Sequence, residues 1–156
     1  MKLFILAVGN KMPKWVDDGF ADYAMRMSQE VTIELLKIKP EKRNKNKKIS
    51  QLLCAEAKRI HAVLPPKCRT IVMDECGRHW NTVKLADSIS GWMRNGGDTA
   101  FIIGGADGLD PGIKKYADEV LALSALTLPH GLVRVLLVEQ LYRAVSLIKQ
   151  HPYHRK

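Results

Sequence analysis

The sequence predicts an α/β protein, a parallel sheet flanked by helices. Two observations predict it. Short β-branched or apolar runs alternate with helical-period segments from one end of the chain to the other. The breaks between them fall at glycines, prolines or charge-rich stretches, with no internal repeat and no linker. One domain over residues 1–156 is expected, large enough to bury a core without staples.

Each element has its own signal. Lys2 to Val8 alternates loosely and stops at Gly9, a first strand. Lys11 to Met27 places Trp15, Val16, Phe20, Tyr23, Ala24 and Met27 at helical spacing, with Pro13 near its start. Val31 to Ile38 is β-branched and alternating, a second strand. "KPEKRNKNKK" follows, with six lysines and arginines in ten residues and almost nothing to bury, so it is expected to be a loop. Ile49 to Leu64 is helical up to Pro65-Pro66. Arg69 to Glu75 reads as a buried strand and "CGRHWNT" as a turn. Val83 to Arg94 is helical up to Gly96-Gly97. Thr99 to Gly105 is a strand running into "ADGLDPG", where Asp110 and Pro111 suit the N-cap and first position of a short helix. Glu119 to Leu128 is a last strand entering a loop, and Gly131 to Lys149 is the final helix, with Pro152 beyond it as a stop.

Composition narrows the function. The formal net charge of +9 attracts polyanions, RNA or DNA first among them. The stretch Leu132 to Leu147 is interrupted by Arg134, Glu139, Gln140, Arg143 and Ser146, so no membrane span is expected. The N-terminus lacks a long apolar region and a cleavage site. Cys54, Cys68 and Cys76 are odd in number and form no C-x-x-C, which suits a reducing cytoplasm and disfavours a metal. His151 and His154 alone supply too few ligands for zinc.

Ligands of such sheets sit beyond the carboxyl ends of strands. That directs attention to "DECG", "GGADGLD" and "SALTLPHG". "IIGGADGL" brings two glycines directly off a strand, able to let a ligand approach the main chain, or simply to turn it. It is neither G-x-G-x-x-G nor a P-loop, and no G-x-S-x-G occurs. Asp107 reads as a turn-forming aspartate first, and as a group that could orient a ligand hydroxyl second. "SALTLPHGLVR" puts apolar residues in an irregular stretch, either a pocket for a flat apolar group or a buried crossover. On the last helix the apolar arc is wider than one packing face needs, which predicts a second subunit against it. Arg134 stands on that arc. It must pair with a carboxylate or face an anion-binding cleft. Glu139 and Arg143 read as a surface pair.

These segments resemble one family nearly end to end: the SPOUT-class ribosomal RNA methyltransferases of the RlmH type. "MKLFILAVGNKMPKWV", "EKRNKN", "IIGGADGL", "LSALTLPHGLVRVLLVEQLYRA" and "HPYHR" carry the resemblance. It implies a C-terminal trefoil knot, a homodimer, and S-adenosylmethionine-dependent methylation of N3 of a pseudouridine in large-subunit (23S) ribosomal RNA on assembled ribosomes. The alternative is a ribosome-binding protein of the same fold without catalysis. By motif match the cofactor site takes Met73, Gly104, Gly105 and Leu123, Ser124, Ala125, Leu126, Thr127 and Leu128. Where the family often has "GGPEG" or "GGSLG" this chain has "GGADG", so the glycines carry over and Asp107 does not.

Removing the N3 proton needs a route for it and stabilisation of the charge left behind. His154 has a suitable ordinary pKa and is the candidate base. Arg155 or Arg134 would stabilise the anion, and Tyr153 would stack on a base. Alternatively, the tail only grips RNA. Lys42, Arg43, Lys45, Lys47 and Lys48 are expected to meet phosphates, together with Tyr153, His154 and Arg155.

Overall fold

A computed structural model describes residues 1–27 and 30–153. Five strands form one sheet: β1 (Lys2–Val8), β2 (Thr32–Ile38), β3 (Arg69–His79), β4 (Thr99–Ile103) and β5 (Glu119–Ala122). The spatial order is β2-β1-β4-β3-β5 and every neighbouring pair is parallel. The helices are α1 (Lys14–Met25), α2 (Ile49–Val63), α3 (Thr82–Asn95), α4 (Pro111–Tyr116) and α5 (His130–Ile148).

Alternation of side chains across β1 divides the core in two. Leu3, Ile5 and Ala7 face α1, α3 and α5, where Phe20, Ile89, Trp92, Leu137 and Leu141 pack. Phe4, Leu6 and Val8 face α2 and α4, where Ile60 and Ile113 pack. Both faces of the sheet are therefore covered, as parallel strands with no polar face require. The expected cap of α4 is present: the Asp110 carboxylate accepts from the Gly112 amide at 2.7 Å.

Three elements differ from the sequence reading. "CGRHWNT" is not a turn. β3 runs on through Cys76–His79, with a register irregularity between Met73 and Arg78, and re-pairs with β5. Gly77 allows this, since a Cβ there would lie 2.8 Å from the Leu121 backbone. The last strand stops at Ala122 rather than Leu128; the chain turns at Ser124, whose hydroxyl accepts from the Leu126 amide. The final helix does not need Pro152 to end it. Gln150 adopts φ 55°, the Gln150 amide bonds to Leu147 O and the His151 amide to Ser146 O, a Schellman closure two residues before the proline.

Residues 123–129 carry the chain from the β5 edge back across the sheet to the end of β1, where α5 begins. The knot implied by the family resemblance would lie in this crossing.

Candidate active site

The expected cofactor residues converge because β4 and β5 end at the level of Met73 on the adjacent parallel β3. Met73 of β3 is in register with Ile103 of β4, one residue before Gly104, and with Leu121 of β5, two residues before Leu123. Past β5 the chain is tied back to β3, as the Thr127 hydroxyl donates to Glu75 at 2.6 Å. The Leu126 amide donates to the Ser124 hydroxyl at 2.9 Å, a local turn. Leu126 is left 74% exposed on the segment that leaves β5, and Ala125 and Thr127 are exposed too. An uncovered leucine between the half-buried Leu123 and Leu128, on a segment tied to β3 just past Met73, suits the flat apolar ring of S-adenosylmethionine, so the residues present fit that group.

The glycine loop is shaped by its own packing. A Cβ on Gly104 would meet Gly108 O at 2.6 Å, and one on Gly105 would meet Val8 at 3.2 Å. The left-handed residue is the third glycine, Gly108 (φ 81°), whose amide closes a turn on Gly105 O at 3.1 Å. Asp107 does more than turn the chain: its carboxylate pairs with Arg43 of the basic loop.

On the β1 side of this loop lies a cavity of about 310 Å³. Of the expected cofactor residues it touches only Gly105. Its walls come from the residues after β1, from the basic loop, from α2 and from His130 at the start of α5. The loop is held in shape by Glu41, which accepts from Arg59 at 2.6 Å and Lys47 at 3.2 Å, while the Glu41 amide donates to Glu56 at 3.0 Å. Burial pushes the His130 imidazole below its ordinary range, and the nearby Arg134 charge pushes it the same way.

Arg134 meets neither of the partners expected for it. It is fully buried, yet its Nη2 donates to the carbonyls of Val8 (3.0 Å) and Gly9 (2.7 Å). Its Nε and Nη1 have no partner among the described residues. No carboxylate lies within ion-pair distance of it among those residues. Burial works against its charge and Asp17 partly offsets that. The end of β1 makes this possible. Gly9 takes φ 118°, and a Cβ there would collide with Nη2 at 2.8 Å.

Tyr153, beyond the end of α5, folds back onto that helix. Glu139 and Arg143 are not a free surface pair: Arg143 donates twice to one Glu139 oxygen, at 2.9 and 2.5 Å, with both side chains at least two-thirds buried. Tyr153 completes the group. Its hydroxyl donates to Glu139 at 3.3 Å, its ring centre is 4.6 Å from that of Tyr142, and the Arg143 guanidinium lies 4.9 Å from it. Burial, Tyr23 and Glu139 push the Tyr153 phenol up to about 12, so it stays neutral and donates. Gln140 likewise accepts from Thr82 at 2.8 Å, and Ser146, one of the polar residues of α5, is buried. His154 and Arg155 lie outside the described residues.

In the basic loop Arg43 and Lys47 are ion-paired, whereas Lys42, Lys45 and Lys48 make no ion pair among the described residues and are exposed. No group of three metal-ligating side chains occurs among the described residues. No helix there is long and apolar enough to cross a membrane.

The family model described as "Predicted SPOUT methyltransferase" matches residues 1–154. The chain belongs to the SPOUT methyltransferase family. Among its relatives, the "Ribosomal RNA large subunit methyltransferase H" of Nitrosospira multiformis is 65% identical, over 99% of both chains. The protein of the same name from Chromobacterium violaceum is 53% identical over the full length of both. Solved structures share the fold at low identity. A methylase family protein from Haemophilus influenzae superposes with a TM-score of 0.56 at 13% identity, covering 99% of this chain and 70% of that one. The SpoU methyltransferase AviRb from Streptomyces viridochromogenes gives 0.50 at 11%, covering 96% and 61%. Within this SPOUT fold, sequence reasoning missed Asn10, Glu75 and His130. Asn10 follows the carboxyl end of β1, Glu75 lies in β3 just past Met73, and His130 opens a helix after an irregular apolar loop, so position was the signal available.

Proposed function

We propose that this chain is an S-adenosylmethionine-dependent methyltransferase acting on large-subunit ribosomal RNA, and that its target atom is N3 of a pseudouridine. One observation carries the reading: the family match and the 65% relative extend over essentially the whole chain, including the strand-end residues that converge here. The single-domain chain works in the cytoplasm as a homodimer on assembled ribosomes. Support for the dimer comes from Trp15, 57% exposed on α1, and from Leu136, exposed on α5.

When bound, S-adenosylmethionine supplies an electrophilic methyl group. Met73, Gly104, Gly105 and Leu123 to Leu128 would hold it. The chain's task is then orientation of the acceptor and management of the N3 proton. His154 takes that proton or holds the RNA, and Arg155 neutralises charge on the ring oxygens. Arg134 acts as a positioning residue, fixing Gly9 rather than touching the acceptor, which follows from its two carbonyl contacts. Tyr153 offers RNA the edge of a ring already packed on Tyr142. Lys42, Arg43, Lys45, Lys47 and Lys48 meet phosphates.

The test is incubation with methyl-labelled S-adenosylmethionine and ribosomes, followed by mass-spectrometric mapping of the RNA. A single methyl on a pseudouridine base of the large subunit is expected. Label confined to the small subunit, or absent from RNA, would refute the proposal.

A further inference from the structure

The chain leaves β1 and β4 in opposite directions. After β1 it enters α1 on one face and moves outward to β2. After β4 it enters α4 on the other face and moves the other way, to β5. Adjacent parallel strands whose exits diverge leave a crevice between them, the place where open α/β sheets bind ligands. The cavity occupies this place, between Gly9–Met12 after β1 and Gly105–Asp107 after β4.

Its size and lining limit the occupant. About 310 Å³ is at the small end for ligand pockets, room for one nucleoside unit. Val8, Met12 and Leu52 give it apolar walls that can flank a planar base. The three carboxylates that line it are already engaged: Glu41 by Arg59 and Lys47, Glu56 by the Glu41 amide, Asp107 by Arg43. The polar groups left open among the described residues are the exposed Asn10 amide, with a donor and an acceptor on one plane, and the His130 ring. Lys11 and Arg43 stand at the lining as cations for a phosphate.

We infer that this crevice receives the acceptor nucleotide, swung out of the RNA strand, with Asn10 and His130 facing the polar edge of the base and Arg43 exchanging Asp107 for its phosphate. It is a subsite distinct from the one bounded by Met73 and residues 123–128, and Gly105 borders both. The inference rests on the methyltransferase reading. A base in a duplex or a stacked loop cannot present its ring nitrogen to a reagent in a protein cleft, so extrusion into a one-nucleoside pocket is what the chemistry demands.

Two variants test it, each at an exposed position. Asn10→Leu removes the amide at similar size, and Ala106→Leu narrows the mouth. The full-length protein is assayed for single-turnover methyl transfer against ribosome concentration, and for S-adenosylmethionine affinity by calorimetry. The expected result is at least a tenfold rise in the ribosome concentration for half-saturation, or an equal fall in the transfer rate, with cofactor affinity within twofold of wild type. Loss of cofactor affinity would make the crevice part of the cofactor site, and unchanged values in both assays would make it no site; either overturns the inference. A wild-type protein that transfers no methyl to ribosomal RNA sinks the underlying reading before any variant is made, so the two failures are distinguishable.

Discussion

Arg134, near the start of α5, donates to the carbonyl oxygen of Gly9, at the end of β1, over 2.7 Å and across 125 positions of sequence. The same nitrogen serves Val8 at 3.0 Å. A charged group is thus buried to anchor a strand end, with no counter-ion in contact among the described residues.

Arg134→Met keeps much of the apolar volume and leaves both carbonyls without a donor. An orphaned buried acceptor costs about 1–3 kcal/mol. The urea midpoint is expected to fall by that order with the slope unchanged. A midpoint at or above wild type would mean that burying the charge costs more than the two bonds return.

His130 makes stability depend on pH in a known direction. Its imidazole is held below its ordinary range by burial and then by Arg134, so the unfolded chain binds the proton more readily. Stability from this group is complete above the ordinary imidazole value of about 6.5 and declines as pH falls through the depressed value. His130→Gln should flatten the fall in melting temperature between neutral and mildly acid pH. An identical pH slope in the variant would assign that fall to other groups.

The end of α5 offers a stabilising change. Gln150 holds φ 55° in a Schellman closure that glycine adopts without steric cost. Gln150→Gly is expected to raise stability by about 1 kcal/mol, read as a higher denaturation midpoint. Gln150→Val should lower it, and the reverse order would exclude a left-handed closure there.

Changing Lys42, Lys45 and Lys48 to Gln removes three cations that make no ion pair among the described residues. If each meets a phosphate, the slope of log affinity against log salt should shrink by ~2 to 3. Binding weakened without any change in slope would place these lysines away from the RNA backbone.

For the tail, His154→Ala separates chemistry from grip. A fall in the single-turnover rate at saturating ribosomes with binding intact assigns proton removal to His154. Weakened binding with that rate intact assigns it to RNA contact.

Much of this architecture was legible because burial leaves a periodic trace. The apolar stretch Leu3 to Val8 of β1 and the Asp110-Pro111 start of α4 were readable residue by residue, and the strand-helix alternation gave the parallel sheet. The path of β3 was not. Its irregular stretch is polar, and it stays in the sheet only because Gly77 lets the β5 backbone approach, a contact with residues some forty positions on. Arg134 was visible as an anomaly but its solution was not, because backbone carbonyls as partners leave no mark in side-chain chemistry. Asp107 was likewise ambiguous until folding brought the basic loop to it. Convergence of Met73, the glycines and the loop after β5 came from family resemblance, and the register of three strands gives it a physical basis.

The Arg134 contact also sets an order of events. β1 precedes Arg134 by about 125 positions, so the strand end that borders the crevice stays unanchored until α5 has been synthesised. β1 can pair with β2 earlier, but the wall formed by Gly9 and His130 waits for α5. A chain shortened before His130 would therefore lack both the anchor and one side of the cleft, so premature termination anywhere upstream yields a protein without a finished crevice.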